Sequence, residues 1–253
     1  MTSDAKSAET ALITGGARRI GRAIALALAA SGYAVVLHVR REDDAADALV
    51  RTIAEQGGRP NIVTGDLSDA AAVEKIVPAA AAFGPLTLLV NNAAGFDEDA
   101  FGDLDRARFE RTLAVNLMAP VFLAQAFAAQ APDGSAIVNI LDQRVFKPTP
   151  RFFSYSLSKA ALHAATVTMA QALAPRLRVN AVAPGPTLPS PRQSEADFAK
   201  QAESLPLARG PSPEEIAAAV VYLARATSVT GVTIPVDGGQ HLAWRTPDSD
   251  LAE

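Results

Sequence analysis

The segment Ala11-Leu12-Ile13-Thr14-Gly15-Gly16-Ala17-Arg18-Arg19-Ile20-Gly21 joins a short apolar run to the first amphipathic one. The apolar residues 11–13 predict a buried strand, and the pattern over residues 20–30 predicts a helix, so the glycines lie in the turn between them. Small residues in such a turn let backbone N–H groups approach a phosphate, and the helix N-terminus adds a favourable dipole. The turn is either merely tight or a dinucleotide site, and its place after the first strand favours the dinucleotide site.

The same alternation of short apolar and longer amphipathic runs continues along the chain. Apolar runs predict further strands at residues 34–37, 61–63, 86–90, 136–141, 179–182 and 232–236. Helical patterns occupy residues 43–56, 70–83, 106–130, 155–173 and 214–224. This order predicts an α/β fold with a doubly wound parallel sheet (Rossmann fold) of about seven strands in a three-layer α/β/α arrangement. Ligands in such folds bind at the carboxyl ends of the strands.

Length and composition restrict the classes of protein that this chain represents. Its 253 residues suit one domain spanning residues 1–253, and its net charge of −4 argues against nucleic acid or a membrane surface as a partner. The absence of cysteine excludes disulfides and thiolate nucleophiles. Residues 1–10 lack the apolar core of a signal peptide, and no apolar run approaches the length needed to span a bilayer. We expect a cytoplasmic protein that acts on a small molecule.

Residues 184–213 interrupt the alternation with seven prolines and a short charged piece, Glu195–Glu203, that is compatible with a helix. A long proline-rich segment inside a compact domain is usually functional or mobile. Two interpretations remain open, a substrate lid and a rigid packing loop.

Cofactor choice is predicted from the end of the second strand, where the sequence is His38-Val39-Arg40-Arg41. An acidic residue there would bind a free ribose 2′-hydroxyl, whereas guanidinium groups favour a 2′-phosphate. Arg40 and Arg41, with Arg18 in the preceding turn, therefore predict NADP(H). In the alternative, the two arginines only flank a solvated helix start, and the neighbouring Glu42 weakens the argument.

Two further loops follow strands at the same edge of the predicted sheet. Asp66, after the third strand, is placed either to accept a bond from adenine or to cap the next helix, as Ser68 or Asp69 also would. The loop Asn91-Asn92-Ala93-Ala94-Gly95-Phe96 follows the fourth strand and suits backbone contact with a ligand. Phe96 is either a stacking surface for a flat substrate or part of the core.

Tyr155 and Lys159 lie four residues apart at the start of a long predicted helix, so both project from one face. An ammonium beside a phenol favours the phenolate, and we therefore expect the pKa of Tyr155 to be lowered toward neutrality. Such a pair is able to transfer a proton. The alternative is an ordinary surface pair on a helix.

Several motifs together resemble the short-chain dehydrogenase/reductase family over residues 11–241. They are the turn at residues 14–21, Asn91-Asn92-Ala93, Asn116, Tyr155-Ser156-Leu157-Ser158-Lys159, Pro184-Gly185 and Asp237-Gly238-Gly239. The resemblance implies that Tyr155 is the proton donor, that Lys159 lowers its pKa and binds the nicotinamide ribose, and that Asn116 orders a water-linked proton path. It also implies a homotetramer in which residues 106–130 and 155–173 form one interface.

Departures from the common family pattern resemble the pteridine reductase and dihydromonapterin reductase branch. Most members have serine thirteen residues before the tyrosine, where this chain has Asp142, and glycine where it has Arg19. The resemblance implies that Phe96 stacks on a pterin, that Asp142 and Tyr155 bond the pterin edge and relay a proton to ring nitrogen, and that Arg19 bridges cofactor phosphate and pterin. The alternative for Asp142 is a structural pair with Arg144.

The predicted catalytic residues are Tyr155, Lys159, Asp142 and Asn116. The predicted substrate contacts are Arg19, Phe96, Asp142 and Tyr155. The predicted NADP(H) contacts are Gly15, Arg18, Arg19, Ile20, Gly21, His38, Arg40, Arg41, Asp66, Leu67, Asn92, Ala93, Tyr155, Lys159, Pro184 and Gly185.

The histidines are scattered and lack carboxylate partners at ligand spacing, so no metal site is predicted. We predict an NADPH-dependent reductase of a pterin. The alternatives are a carbonyl reductase for another small substrate and a cofactor-sensing protein without turnover.

Overall fold

In the computed structural model, which describes residues 9–190 and 192–244, seven parallel strands form one sheet in the order β3-β2-β1-β4-β5-β6-β7. The strands are β1 (Thr10–Thr14), β2 (Ala34–Val39), β3 (Arg59–Thr64), β4 (Leu86–Asn91), β5 (Ala136–Ile140), β6 (Arg178–Pro184) and β7 (Thr233–Val236). Most of the N-terminal stretch predicted not to be a signal peptide, residues 1–8, lies outside the described residues. The predicted seven-stranded, doubly wound sheet is confirmed.

Helices cover both faces of the sheet. They are α1 (Arg19–Ala30), α2 (Asp44–Glu55), α3 (Ala70–Ala81), α4 (Arg106–Leu113), α5 (Ala119–Gln130), α6 (Phe153–Leu173), α7 (Glu195–Glu203) and α8 (Pro213–Arg225). Short 3-10 helices occupy Gln143–Val145 and Gln240–Leu242.

The central strands form because they are runs of apolar residues buried on both sides, as expected for a parallel sheet covered by helices. The two edge strands, β3 and β7, are only partly buried. All residues of β1, β2, β5 and β6 are buried. One apolar cluster joins the sheet to α1 and α8, and a second joins its other face to α3 and α5. Side chains satisfy the first amides of two helices: Asp43 caps α2, and Ser212 with Glu215 forms a capping box at α8.

The helix predicted over residues 106–130 is interrupted by a π-helical turn, Ala114–Met118, between α4 and α5. The whole segment Arg106–Gln130 is long and apolar enough to cross a membrane by length and composition, which corrects the sequence-based statement that no run approaches that length. One such helix is weak evidence for a membrane span, since α5 packs Leu123 and Phe127 into the second apolar cluster.

The proline-rich segment lies between β6 and α8 and contains α7, so its charged piece is helical as expected. Ser194 caps α7 by accepting a bond from the Asp197 amide at 3.1 Å. The segment approaches the first βα turn and the loop after β4. Its role as a lid stays a prediction.

Candidate active site

A cavity of about 460 Å³ opens at the carboxyl ends of β1, β2 and β4, where the strand order reverses between β1 and β4. This is the position at which ligands bind in open α/β sheets. Nine of the predicted cofactor contacts line it: Gly15, Arg18, Arg19, Ile20, Gly21, Arg40, Arg41, Asn92 and Ala93. The structure therefore brings together three separate segments of sequence in one cavity.

Gly21 is required by close packing in the first turn. A Cβ atom there would lie 2.1 Å from the carbonyl oxygen of Gly15 and 2.7 Å from Nδ2 of Asn92. Asn92 holds the turn in place, since its Nδ2 donates to the carbonyl oxygens of Thr14 at 2.9 Å and Gly15 at 3.1 Å. The Thr14 hydroxyl in turn accepts from the amide of Ala93 at 3.0 Å. The turn after β1 and the loop after β4 thus form one rigid wall.

The N-terminus of α1 faces this cavity and fits an anionic group. Its N-cap residue, Arg18, makes no side-chain capping bond, in contrast to Asp43 at α2. The amides of the first turn are therefore left for another acceptor, and the helix dipole favours negative charge at that point. These features match the pyrophosphate of a dinucleotide.

The basic edge of the cavity is formed by Arg40, Arg41 and Arg18. Arg18 is partly engaged already, because its guanidinium donates to Oδ2 of Asp43 at 2.9 Å. The bond from Arg18, with the amide of Ala46, holds the pKa of Asp43 below its usual value. Asp43 lines the cavity, and sequence analysis missed it. The sequence could have indicated Asp43 as a helix N-cap. Its contact with Arg18, 25 positions away, could not have been predicted from the sequence.

Other predicted cofactor contacts lie away from the cavity. His38 is buried with its Nε2 against the carbonyl oxygen of Gly65 at 3.0 Å, and burial lowers its pKa. Successive strand residues point to opposite faces, so its neighbour Val39 lines the cavity instead. Asp66 accepts from the amide of Ser68 at 2.9 Å, while Asp69 caps α3.

Leu67, Pro184 and Gly185 also belong to this group, as do Tyr155 and Lys159. The Leu67 side chain packs in the second apolar cluster. Pro184 ends β6, and Gly185 lies so close to Asp237 that a Cβ atom would approach its Cα within 2.6 Å. Among the described residues these three do not line the cavity.

Tyr155 meets Asp142 at the start of α6. The phenol, 7% exposed, donates to Oδ2 of Asp142 at 3.0 Å. Burial raises the pKa of Tyr155 well above its ordinary value, and the Asp142 carboxylate raises it further. The expectation that Lys159 lowers the pKa of Tyr155 is therefore wrong for this structure. A phenol held protonated at neutral pH is suited to donate a proton.

Asp142 makes both contacts that sequence analysis treated as alternatives. Its carboxylate bonds Tyr155 and also accepts from Nη1 of Arg144 at 3.2 Å. It caps the short 3-10 helix through the Arg144 amide at 2.9 Å. The structural pair and the contact with the tyrosine therefore coexist on one carboxylate.

Lys159 is buried, with 2% of its surface exposed, and its Nζ donates to the carbonyl oxygen of Ile140 at 2.7 Å. Its Nζ lies 5.7 Å from the centre of the Tyr155 ring, so the two residues share a helix face as predicted. Burial lowers the pKa of Lys159 to about 8, although Asp142 opposes the shift. The amine remains mainly protonated at neutral pH.

Asn116 lies in the π-helical turn, which is a frequent feature of functional sites. Its Nδ2 donates to the Gly95 carbonyl oxygen at 2.9 Å, and its Oδ1 accepts from the Gly95 amide at 2.8 Å. Its Nδ2 also contacts the Ser158 hydroxyl at 3.1 Å. Asn116 thus joins the loop after β4 to α6. The predicted water-linked path stays a prediction.

Phe96 is stacked on another aromatic residue rather than free. Its ring lies 4.3 Å from that of Phe152 at an angle of 8°, and 4.7 Å from Tyr155 edge to face. The guanidinium groups of Arg144 and Arg192 lie 5.3 and 5.6 Å from the Phe96 ring centre. Phe152, Arg144 and Arg192 were missed as neighbours of Phe96, because they are far from it in sequence.

Arg19 occupies a position where the backbone favours glycine, with φ of 51°. Such a conformation costs about 1–2 kcal/mol for other residues, so a compensating contact is expected. Its guanidinium donates to the carbonyl oxygens of Pro189 at 3.1 Å and Leu188 at 3.2 Å. Arg19 therefore links the cavity to the proline-rich segment, and its predicted bridge between phosphate and pterin stays a prediction.

Comparison with known proteins places this site in a family. Residues 15–241 match the family model described as enoyl-(acyl carrier protein) reductase. A 3-oxoacyl-[acyl-carrier-protein] reductase of Synechocystis sp. is 35% identical over 246 residues, covering 93% of this chain and 98% of the relative.

Solved structures agree with that match. FolM alternative dihydrofolate reductase 1 from Brucella suis, in complex with NADP, is 49% identical with a TM-score of 0.91, covering 95% of this chain and 98% of that chain. A short-chain dehydrogenase/reductase from Serratia marcescens is 33% identical with a TM-score of 0.85, covering 92% and 98%. The cavity, the tyrosine and lysine of α6 and these matches converge: the chain belongs to the short-chain dehydrogenase/reductase family and is an oxidoreductase.

Proposed function

We propose that this oxidoreductase uses NADPH to reduce a dihydropterin. The observation that carries the proposal is the hydrogen bond of 3.0 Å between the Tyr155 hydroxyl and the Asp142 carboxylate. The carboxylate occupies the position where most family members have a serine, and it offers an acceptor to the N–H groups at a pterin edge. The similarity to the Brucella suis FolM protein, described as an alternative dihydrofolate reductase, supports the same substrate class.

The proposed cofactor residues are those of the cavity. The first turn of α1 binds the pyrophosphate, and Arg40 with Arg41 binds the 2′-phosphate, because guanidinium groups match phosphate oxygens. The NADP bound in the Brucella suis structure agrees with this choice. Bound NADPH supplies the hydride.

The chain itself supplies and positions the proton. Tyr155 holds a proton at neutral pH because burial and Asp142 oppose its ionisation. In the proposed reaction, a ring C=N bond gains hydride at carbon and a proton at nitrogen. Tyr155 and Asp142 relay that proton, and the buried ammonium of Lys159 stabilises the phenolate that forms.

A pterin ring in this site takes the place of Phe152 against Phe96. Phe152 adopts φ of 55° and lies directly before α6. Its stacking on Phe96, with the ring centres 4.3 Å apart, supports a flat partner at that position. Arg144 and Arg192, near the ring centre of Phe96, favour an electron-rich ring system.

The proposal is tested by following NADPH oxidation by purified protein with dihydropterins and with simple ketones. We expect turnover with dihydropterins and a loss of about a thousandfold in Tyr155→Phe, with NADPH binding retained. Turnover confined to ketones would refute the proposed substrate.

A carbonyl reductase is the second candidate. The similarity to the Synechocystis 3-oxoacyl-[acyl-carrier-protein] reductase favours it, since a phenol donor serves a ketone oxygen as well as a ring nitrogen. NADPH binding without any turnover would instead favour a cofactor sensor.

We also propose a homotetramer with α5 and α6 at one interface. Large apolar side chains on these helices and the adjoining π turn are exposed, including Met118 at 50%, Phe122 at 51% and Leu157 at 44%. Such side chains clustered on a monomer mark association sites. Light scattering should show a tetramer for the natural protein and a smaller species for Phe122→Glu.

A further inference from the structure

A second cavity, also of about 460 Å³, lies beside the Phe96 loop and is lined entirely by charged residues. Its walls come from the loop after β4, from α4 and from the proline-rich segment. The lining residues are Asp97, Glu98, Asp105, Arg108, Arg111 and Arg192.

The three arginines of this cavity interact with carboxylates only at longer range, Arg111 with Asp66 and Arg192 with Glu98. Within the part of the chain that the structure describes, Arg108, Arg111 and Arg192 form no ion pair. Arg108 donates only to the backbone carbonyl oxygen of Glu98 at 3.3 Å. Three guanidinium groups that line one cavity and form no close ion pair are suited to an anion.

Two of the acidic residues of the cavity are engaged by other groups. Glu98 pairs with Arg151 at 2.6 Å. Asp105 accepts from the backbone amide of Arg108 at 2.7 Å, which caps α4. Among the described residues Asp97 forms no ion pair. The cavity therefore carries both signs of charge and favours a ligand that presents carboxylates together with N–H donors.

Arg192 connects this cavity to the proposed pterin site. Its Nη2 donates to the Phe96 carbonyl oxygen at 2.8 Å, and its guanidinium lies 5.7 Å from the Phe152 ring centre. A ligand stacked on Phe96 would therefore extend any side chain past Arg192 toward Arg108 and Arg111.

Resting on the proposed function, we infer that this cavity is a subsite for the carboxylate-bearing tail of a folate-type dihydropterin. The tail of dihydrofolate consists of p-aminobenzoate joined to glutamate, which brings two carboxylates and an amide N–H. Arg108 and Arg111 bind the carboxylates, and Arg192 lies against the aromatic ring of the tail. Dihydropterins with short neutral side chains bind without using the cavity.

The test compares dihydrofolate with dihydrobiopterin, whose side chain is neutral, in Arg108→Gln and in the double variant Arg108→Gln/Arg111→Gln. We expect the KM for dihydrofolate to rise about threefold and about tenfold respectively, as for solvent-exposed ion pairs. The KM for dihydrobiopterin and for NADPH should stay within about twofold. Arg106→Gln is the matched control, since Arg106 lies on the same helix but pairs with Glu110 outside the cavity.

A binding measurement separates the tail from catalysis. Calorimetric titration of folate into the protein with NADP⁺ should show the dissociation constant rising about threefold in the single variant and about tenfold in the double variant. Both losses should shrink at high ionic strength. Equal changes for dihydrofolate and dihydrobiopterin, or no change for either, would overturn the inference while leaving pterin reduction intact. Absence of turnover with both substrates would overturn the proposed function itself.

Discussion

Replacing Asp142 with asparagine removes one charge from the contact that distinguishes this site. Asparagine also caps helices, so the bond to the Arg144 amide is preserved, and its shape lets the Tyr155 hydroxyl remain in place. What is lost is the charge on the acceptor of Tyr155, 3.0 Å away, and the ion pair with Arg144 at 3.2 Å. We therefore expect Asp142→Asn to fold normally but to catalyse the reaction more slowly.

The magnitude follows from the bonds that change. A hydrogen bond to a charged group is worth about 1.5–3 kcal/mol. If about 2 kcal/mol of this is lost in the transition state, kcat for a dihydropterin falls roughly thirtyfold. The dissociation constant for NADPH should change by less than about threefold, because Asp142 does not line the cofactor cavity. Asp142→Ser should behave similarly.

The pKa of Tyr155 gives a second, independent measurement. Burial is the main cause of its raised pKa, and Asp142 adds to the shift. Removing the charge of Asp142 should therefore lower the pKa of Tyr155, and ultraviolet titration should show tyrosinate forming at lower pH. Subtracting the titration of Tyr155→Phe isolates the signal of this residue from the other tyrosines.

Asp133→Asn is the control, since Asp133 also faces an arginine, Arg176, at 4.0 Å, but precedes β5, whereas Asp142 follows that strand. It should leave kcat, NADPH affinity and tyrosine titration unchanged. Equal losses of kcat and NADPH affinity in Asp142→Asn would show that Asp142 acts only on structure. An upward shift of the Tyr155 pKa would refute the electrostatic argument.

Three further substitutions test the cavity and the buried amine. Gly21→Ala places a methyl group 2.1 Å from a backbone oxygen, so unfolding should become easier by about 1–3 kcal/mol in calorimetry and NADP⁺ should no longer raise the Tm. Arg41→Glu should lower the preference for NADPH over NADH in kcat/KM by at least about tenfold, whereas Arg51→Glu, exposed on α2, should leave it unchanged. The pKa of Lys159 is lowered to about 8 in the folded protein. Between about pH 8 and pH 10 the unfolded chain therefore keeps a proton that the folded protein has lost. Because of this difference, the free energy of unfolding rises with pH over that interval. Urea denaturation should show the free energy of unfolding of the natural protein increasing by about 2–3 kcal/mol relative to that of Lys159→Met in that interval. The same pH dependence of this free energy in both proteins would contradict a buried charge at Lys159.

The sequence by itself determined the order of the elements and the place of the cofactor cavity. Short apolar runs alternating with amphipathic ones specify a parallel sheet, because strands buried on both faces need helices between them. The glycine turn, Arg40, Arg41 and Asn92 follow strand ends, and parallel strands bring those ends to one edge. Local patterns were enough for these features.

Only the tertiary structure decided which side chains meet, because direction and burial depend on packing between distant segments. Strand alternation turned His38 inward and left Val39 at the cavity. The pKa of Tyr155 is raised rather than lowered because burial and the Asp142 carboxylate outweigh the opposing charge of Arg144. The contact of Arg192 with Phe96 spans 96 positions in sequence, a separation at which no local pattern predicts a hydrogen bond.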